Sequence, residues 1–433
     1  MPIEQDQDRH EDISHDQADQ GQAHHEQDRA SSISFRQLKL FESVGRLNSV
    51  RRGSEECNLS QPAVTQALAK LEQQLGACVL ERRASGSYLT DAGRIMHKRV
   101  TRLFDQMEQA LVDLNVPGGA SGAHAIANRI SRSQVRSLIS IIECGSFALA
   151  ARELGLTQAS LQRAARDLES NLRQSIYYRT AAGVMVTPAG IEFGRKLKLA
   201  LQEIAWGIHE IEVARGAGES KLVIGALPFG GSVLLASVLE EFLARHPAAD
   251  LRIINEGASE MMKRLRAGDV DLVIGLLQEA PEADITNQIL AETPYTIVAR
   301  RGHPLTRKGQ VTLEDLARYD WIVGSEGSSR RACFESLFAG SAKPHAPIAT
   351  SAMAVIRHLL SGSDRLTLMT SYELIHEGSA LAPVPFDDIL PLPAIGITQR
   401  ANWLPTRLHQ DFIDLLRAHV TASTVLPLRQ LAG

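Results

Sequence analysis

Ser60, Gln61, Pro62, Ala63, Thr65 and Gln66 have the types and spacing of a helix start that can read nucleic-acid bases. Ser60 can cap the helix and Pro62 fits its first turn, leaving the following polar side chains at its exposed tip. In a helix-turn-helix the second helix enters the major groove tip first. There a Gln can bond adenine bidentately, and an Ala or the Thr methyl can meet a thymine methyl. Arg82, Arg83 and Ser85 follow at a turn, suited to phosphate or minor-groove contact. A second set stands 97 residues later: Thr157, Gln158, Ser160, Arg163 and Arg166. Its Ala-Ser pair replaces Pro-Ala, and its turn, Arg179 to Gly183, has lost one arginine. The second set is therefore read either as another DNA contact or as a helical hairpin kept for packing.

The constant offset marks a duplication. Residues 35–104 and 132–201 align without gaps and share 16 of 70 positions, too regular for chance. Two copies of domain size exclude a solenoid. In copy one, Phe35, Leu38, Phe41 and Val44 recur at helical spacing. The next helix buries Val64, Leu68, Leu71 and Leu75 and stops at Gly76. Val79 to Leu89, turning at Gly86, reads as a two-stranded wing, and Ala92 to Leu114 as a long amphipathic helix. That helix is too narrow to stand alone, so it is expected to pair with another, as is its counterpart from Ala189 to Ala214. The pair of long helices is expected to form the seam of a homodimer.

The expected organisation is a disordered acidic tail over 1–32 and a first winged unit over 33–114. A flexible Gly/Ala-rich linker follows over 115–128, then a second winged unit over 129–215 and an α/β domain over 220–423. The tail carries −7 over residues 1–30, too polar to fold. Copy one carries +6, copy two +5 and the α/β block −4, which separates a nucleic-acid end from a sensing end despite a chain total of −4. The polar start argues against a signal peptide, no apolar run reaches a membrane span, and a cytoplasmic protein is expected. Cys57, Cys78, Cys144 and Cys333 lie far apart and read as reduced thiols.

From Lys221 short apolar runs (KLVIGA, ADLRII, VDLVIGL, YTIVAR, YDWIVG, RLTLM, IGITQ) alternate with helical patterns, as in an α/β fold with largely parallel sheets. Two strand-to-helix loops offer free amides for a polar ligand, Leu227 to Ser232 and Gly324 to Arg330. Phe229, Gly230, Gly231 and Ser232 in the first, Ser325, Ser328 and Arg330 in the second, and Thr370 on the far wall are the candidate effector contacts. Arg330 is expected to meet a carboxylate or a sugar hydroxyl. There is no G-x-S-x-G, Walker A, G-x-G-x-x-G or H-E-x-x-H motif, so neither an enzyme nor a cofactor or metal is expected.

FRQLKLFESV, LSQPAVTQALAKLEQQLG and LERRASGSYLTDAG resemble the winged helix-turn-helix of LysR-type transcriptional regulators, and SLISIIECGSFALAARELGLTQASLQ resembles it again. KLVIGALPFGGSVLLASVLEEFLARHPAADLRI, LRAGDVDLVIG, RRGHPL and LEDLARYDWIVG resemble that family's effector domain. The resemblance spans about residues 33–422 and departs from the family in its second DNA-binding unit. At 51–57, RRGSEEC also stands for the usual alanine-rich helix. It implies a multidomain α and α/β protein: two tandem winged helix-turn-helix domains with long linker helices, then a two-lobed periplasmic-binding-protein-like effector domain. It implies double-stranded DNA and a small-molecule effector as partners, a homo-oligomer (dimer or tetramer), and RNA polymerase for an activator. Regulators of sugar or aromatic-acid catabolism suggest the effector's class. One rival stays open, an architectural DNA-binding protein whose α/β domain only mediates assembly; a solute-binding protein or enzyme of the same fold is disfavoured by the basic N-terminal modules and the polar start.

Overall fold

The computed structural model describes residues 30, 32–181, 183–216, 220–227, 232–277, 282–375, 380–387, 389–390 and 392–424. Nearly all of the expected acidic tail lies outside them. Ala30 and Ile33 are already buried, so the folded chain begins slightly earlier than the composition suggests. The described residues form two compact units, 30–216 and 220–424.

In the first unit, copy one comprises α1 (Phe35–Leu47), α2 (Val50–Glu56), α3 (Gln61–Leu75), the hairpin β1 (Leu80–Arg83) and β2 (Gly86–Leu89), and the long α4 (Asp91–Asp113). After α5 (Gly119–Ala127), copy two repeats the series as α6 (Arg132–Cys144), α7 (Phe147–Glu153), α8 (Gln158–Leu172), β3 (Tyr177–Thr180), β4 (Gly183–Val186) and α9 (Pro188–Ala214). The repeat extends to single bonds. Ser34 with Gln37 and Ser131 with Gln134 form capping boxes at the same position. The carboxylate of Glu72 accepts from the amides of Val79 and Leu80 at 2.9 and 3.1 Å, and that of Glu169 from Ile176 and Tyr177 at 2.8 and 3.0 Å. This clamp fixes each wing to its reading helix. Where α3 ends at a left-handed Gly76, α8 ends at Arg173 with φ 52°, so copy two keeps the geometry without the glycine.

Two expectations are corrected here. The stretch 115–128 is not a flexible linker: most of it is α5, whose Ala123, Ile126 and Ala127 are buried in the same core as both copies. Small side chains that suggest flexibility here serve close packing. Nor do α4 and α9 wait for another subunit, because they pack against each other within the chain, with Met96, Leu103, Met107, Ile204, Ile208 and Ile211 in one core.

The second unit has two lobes. Lobe I holds β5 (Ser220–Ala226), α10 (Ser232–Arg245), β6 (Ala249–Ile254), α11 (Ala258–Ala267), β7 (Leu272–Leu276) and β8 (Ile285–Glu292). Lobe II holds β9 (Tyr295–Arg300), α12 (Leu313–Ala317), β10 (Trp321–Val323), α13 (Ser329–Leu337), β11 (Ile348–Ala349), α14 (Met353–Ser361), β12 (Leu366–Thr370), α15 (Ser371–Ile375) and β13 (Leu381–Pro383). The chain then returns to lobe I as β14 (Ala394–Arg400) and α16 (Arg407–Thr424). The sheet orders are β6-β5-β7-β14-β8 and β11-β10-β12-β9-β13. Both sheets are mixed rather than largely parallel. Strand β14 runs antiparallel to β7 and β8, and β9 antiparallel to β12 and β13. Each sheet receives strands from chain that crosses between lobes, and such a strand is not bound by the right-handed crossover that makes neighbours parallel. Trp321, Phe334 and Phe338 fill lobe II, Phe242 and Phe412 lobe I. Cys333 lies in the lobe II core, where burial pushes its thiol up to about 11, as expected of an inert residue.

Candidate nucleic-acid interface and effector site

Each reading helix hides one face and presents the other. In α3, Val64, Leu68, Leu71 and Leu75 are buried, while Ser60, Gln61, Pro62 and Gln66 are exposed and Ala63 and Thr65 half-buried. Ser60 makes no side-chain cap bond, which leaves its hydroxyl free. Gln61, Pro62, Thr65 and Gln66 line an open cleft of about 730 Å³ with Arg82 and Arg83 of the wing. Arg82 is exposed and has no intramolecular partner among the described residues. Arg83 pairs with Glu81 and lies over Tyr88, 5.3 Å from the ring centroid, while Tyr88 donates to Ser85 at 3.1 Å. The wing is therefore a stiffened cationic tip beside the helix start. Arg51, in the first turn of α2, completes the rim, a contact the sequence reading missed because 51–57 departs from the usual pattern.

Copy two exposes the matching surface with other chemistry. Thr157 caps α8 by accepting from Ser160 N at 3.2 Å, and Gln158, Arg163 and Arg166 are exposed. Arg166 folds back on its own helix, donating to Gln162 O at 3.3 Å. Arg163 has no partner among the described residues. The wing offers Arg179 with exposed Tyr178 and Met185, so it is less cationic than the first.

In the second unit, Phe229, Gly230 and Gly231 lie outside the described residues, and of Ser232 only its place at the start of α10 is described. Lobe II brings the other candidates together around the end of β10, but not as expected. Ser328 caps α13, accepting from Arg331 N at 3.2 Å and donating to Ser325 O at 2.7 Å. Ser325 stays exposed and accepts from Ser351 Oγ at 3.1 Å. Arg330 is not a free cation: its guanidinium is buried and pairs with Glu373, although its Nε and Nη1 have no partner among the described residues. Thr370 is no wall residue either, since it is 1% exposed and its hydroxyl caps α15 by accepting from Glu373 N. The sequence could not reveal Glu373, because nothing local couples it to a residue 43 positions away. Tyr295 donates or accepts with Ser329 Oγ at 2.9 Å, and burial pushes its hydroxyl up to about 12.

Glu373 also ties this site to the crossing between lobes. It sits on α15, where Ser371 N donates to Pro294 O at 2.9 Å and Tyr372 N to Thr293 Oγ1 at 3.3 Å. Thr293 N in turn donates to Pro393 O, at 2.9 Å, just before the returning strand.

Two exposed, cation-rimmed reading helices joined in one chain to a two-lobed α/β sensor define a ligand-controlled DNA-binding regulator. Residues 35–94 and 133–191 each match the bacterial regulatory helix-turn-helix protein, lysR family, and residues 215–421 match the LysR substrate binding domain. The chain belongs to the LysR family of transcriptional regulators, a family of regulators and not of enzymes. It is 30% identical over 398 residues to the HTH-type transcriptional regulator GalR of Pseudomonas putida, covering 89% of this chain and 97% of that one. It is 25% identical to the HTH-type transcriptional regulator GbpR of Rhizobium radiobacter, over 54% of this chain and 79% of the relative. A solved structure of a Corynebacterium glutamicum OxyR mutant aligns with a TM-score of 0.42 at 24% identity, over 68% of this chain and 98% of that one. Membership favours the ligand-controlled regulator over the purely architectural DNA-binding protein. No single helix among the described residues is long and apolar enough to cross a membrane.

Proposed function

We propose that the first unit reads operator DNA with both helix starts while the second holds an anionic or hydroxylated effector between its lobes, in the cytoplasm and without enzymatic activity. The observation that carries the reading is an exposed arginine without a partner among the described residues beside each helix start, Arg82 in copy one and Arg163 in copy two. Gln61, Thr65 and Gln66 face base edges from copy one, with Ser60, Pro62 and Ala63 at the phosphate-proximal turn. Arg82, Arg83 and Ser85 hold the flanking backbone. Thr157, Gln158, Ser160, Arg163 and Arg166 do the same from copy two. The domains act as assigned at 33–114, 129–215 and 220–423, with α5 as a structural wedge.

The effector enters beside Ser325 and Ser328, and its acidic or hydroxyl group competes with Glu373 for Arg330. Glu373 stands on the helix that holds Thr293 and Pro294, so the competition shifts the equilibrium between lobe arrangements. Exposed Ile253 and Ile289, on the edge strands β6 and β8, favour self-association through the second unit, and recruitment of RNA polymerase follows if the protein is an activator. The test is paired DNA titration. Gln61→Ala should weaken a specific site about tenfold and random DNA little. Arg82→Ala should weaken both alike and lower the salt slope by roughly one. Equal losses on both DNAs for Gln61→Ala refute the reading.

A further inference from the structure

The contacts between α4 and α9 obey a two-fold rule. Gln106 and Glu203 occupy the same position of their copies, and they touch: Gln106 Nε2 donates to Glu203 Oε1 at 2.8 Å. A residue meets its own counterpart only on a two-fold axis. Arg99 of copy one pairs with Glu210 of copy two at 2.8 Å. The counterparts of those two residues are Lys196 and Asp113, and they also pair, at 2.5 Å. Two reciprocal ion pairs about one self-contact place a pseudo-dyad between the helices. The first unit is thus built as a dimer within one chain.

We infer that a single chain of this protein presents both reading heads of a two-fold DNA reader, and that its operator consists of two half-sites of different sequence. The inference rests on the DNA-reading role proposed above and extends it to the form of the DNA. In a symmetric reader the dyad of the protein dictates a palindromic operator, because both half-sites meet the same side chains. Here the dyad relates unlike side chains. Gln61 and Gln158 correspond, but Thr65 faces as Gln162, Gln66 as Arg163 and Ala69 as Arg166. A Gln suited to adenine becomes an Arg suited to guanine at the same place in the groove.

Charge at the axis also selects this unlike pairing over the pairing of like copies. Two copies two would set Glu203 against Glu203 without Arg99 or Arg102, whose counterparts are Lys196 and Leu199. Two copies one would set Gln106 against Gln106, leaving Arg102 with no Glu203 to receive it and Arg99 with Asp113 alone. Only unlike copies bring Arg99, Arg102 and Gln106 onto Glu203, at 2.8, 2.9 and 2.8 Å. Like charges in a buried seam are costly, so the unlike pair is the stable one.

Two measurements on the full chain test this. A zero-length carbodiimide applied to an equal mixture of ¹⁴N- and ¹⁵N-labelled protein should convert the Lys196–Asp113 pair to an amide. Its cross-linked peptides should carry one isotope each; mixed peptides would show a seam between chains and overturn the proposal. Selection from random duplex should then return two unlike boxes at fixed spacing. Arg163→Ala should relax one box and Gln61→Ala the other, each by roughly tenfold in preference. A palindrome whose two boxes respond alike to one variant overturns the inference. Enrichment of no sequence overturns the DNA reading itself, and the proposal with it, while single-isotope peptides would still leave the intrachain seam standing.

Discussion

Replacing Glu203 with Leu should unfasten the two copies. Its carboxylate is 1% exposed and receives Arg99, Arg102 and Gln106 at once. Burial pulls the Arg99 guanidinium down, yet bonds and charge from Glu210 and Glu203 outweigh it and hold it above its usual value. Removing one partner of a buried pair costs about 3–5 kcal/mol, because the other charge is left without compensation. The lower end applies here, since Glu210 still holds Arg99 and Arg102 is one-quarter exposed and can turn to water. About 3 kcal/mol in a unit of this size lowers its melting temperature by roughly 6–12 °C. Calorimetry should show one transition falling by that amount, and hydrogen exchange should place the lost protection in α4 and α9 and not in the sensor. Arg99→Leu combined with Glu203→Leu should recover most of the loss, because an apolar pair fills the site without stranded charge. The coupling in that double-mutant cycle should reach about 2 kcal/mol. A single-variant loss under 1 kcal/mol, or simple additivity, would refute the seam as the element that unites the copies.

Three further outcomes follow from the same structure. Gly93→Ala should destabilise the first unit by about 1–3 kcal/mol in a urea titration, although Ala ordinarily favours helices, because the added Cβ would sit 2.0 Å from Val79 O. Arg330→Leu should cost the sensor about 3 kcal/mol by stranding buried Glu373, and Arg330→Leu with Glu373→Leu should restore most of it; a harmless single variant would show that the pair is not held as described. His303 is buried, accepts from Leu305 N through Nδ1 at 3.1 Å, and is held below its usual range first by burial. A depressed pKa gives stability that is present above the unfolded value near 6.5 and lost as pH falls through the folded one. Sensor stability should thus decline on acidification below about 6.5, and His303→Gln should flatten that slope.

The reading helices and wings were legible because they obey local rules: a cap, a 3.6-residue apolar stripe, a turn glycine. So were the strands whose runs are wholly apolar, such as Leu272–Leu276. Strand β8 (Ile285–Glu292) was missed because an edge strand carries polar residues such as Thr286, Asn287 and Gln288, which read as a loop. Segment 115–128 misled because Gly and Ala signify flexibility in water but close approach inside a core, and only the packing partner decides. Arg330 misled for a related reason. A lone cation in a loop suggests an anionic ligand, whereas its partner Glu373 comes from another element of lobe II.

The seam explains what duplication within one chain makes possible. On the axis of a homodimer every residue faces its own copy, so a buried Glu there would face a Glu and the position is confined to groups that complement themselves. Joining two copies in one chain removes that restriction. Position 106 is Gln while its counterpart 203 is Glu, and the arginines that answer it, Arg99 and Arg102, are needed in copy one alone. The same freedom reaches the reading surface, where Gln66 and Arg163 differ without penalty to the fold because both are exposed on helices whose buried faces are alike. Elements that must match for packing have therefore stayed matched, as in the clamps of Glu72 and Glu169. Elements that meet a partner have diverged. A copy retained only as a packing remnant has no need of a capped helix tip with exposed Gln158 and Arg163. Changing Arg163 and Arg166 together to Glu should accordingly shorten the protected DNA and weaken binding, while the seam, built from α4 and α9, keeps its cross-linking pattern. An unchanged footprint from that variant would assign copy two to packing alone.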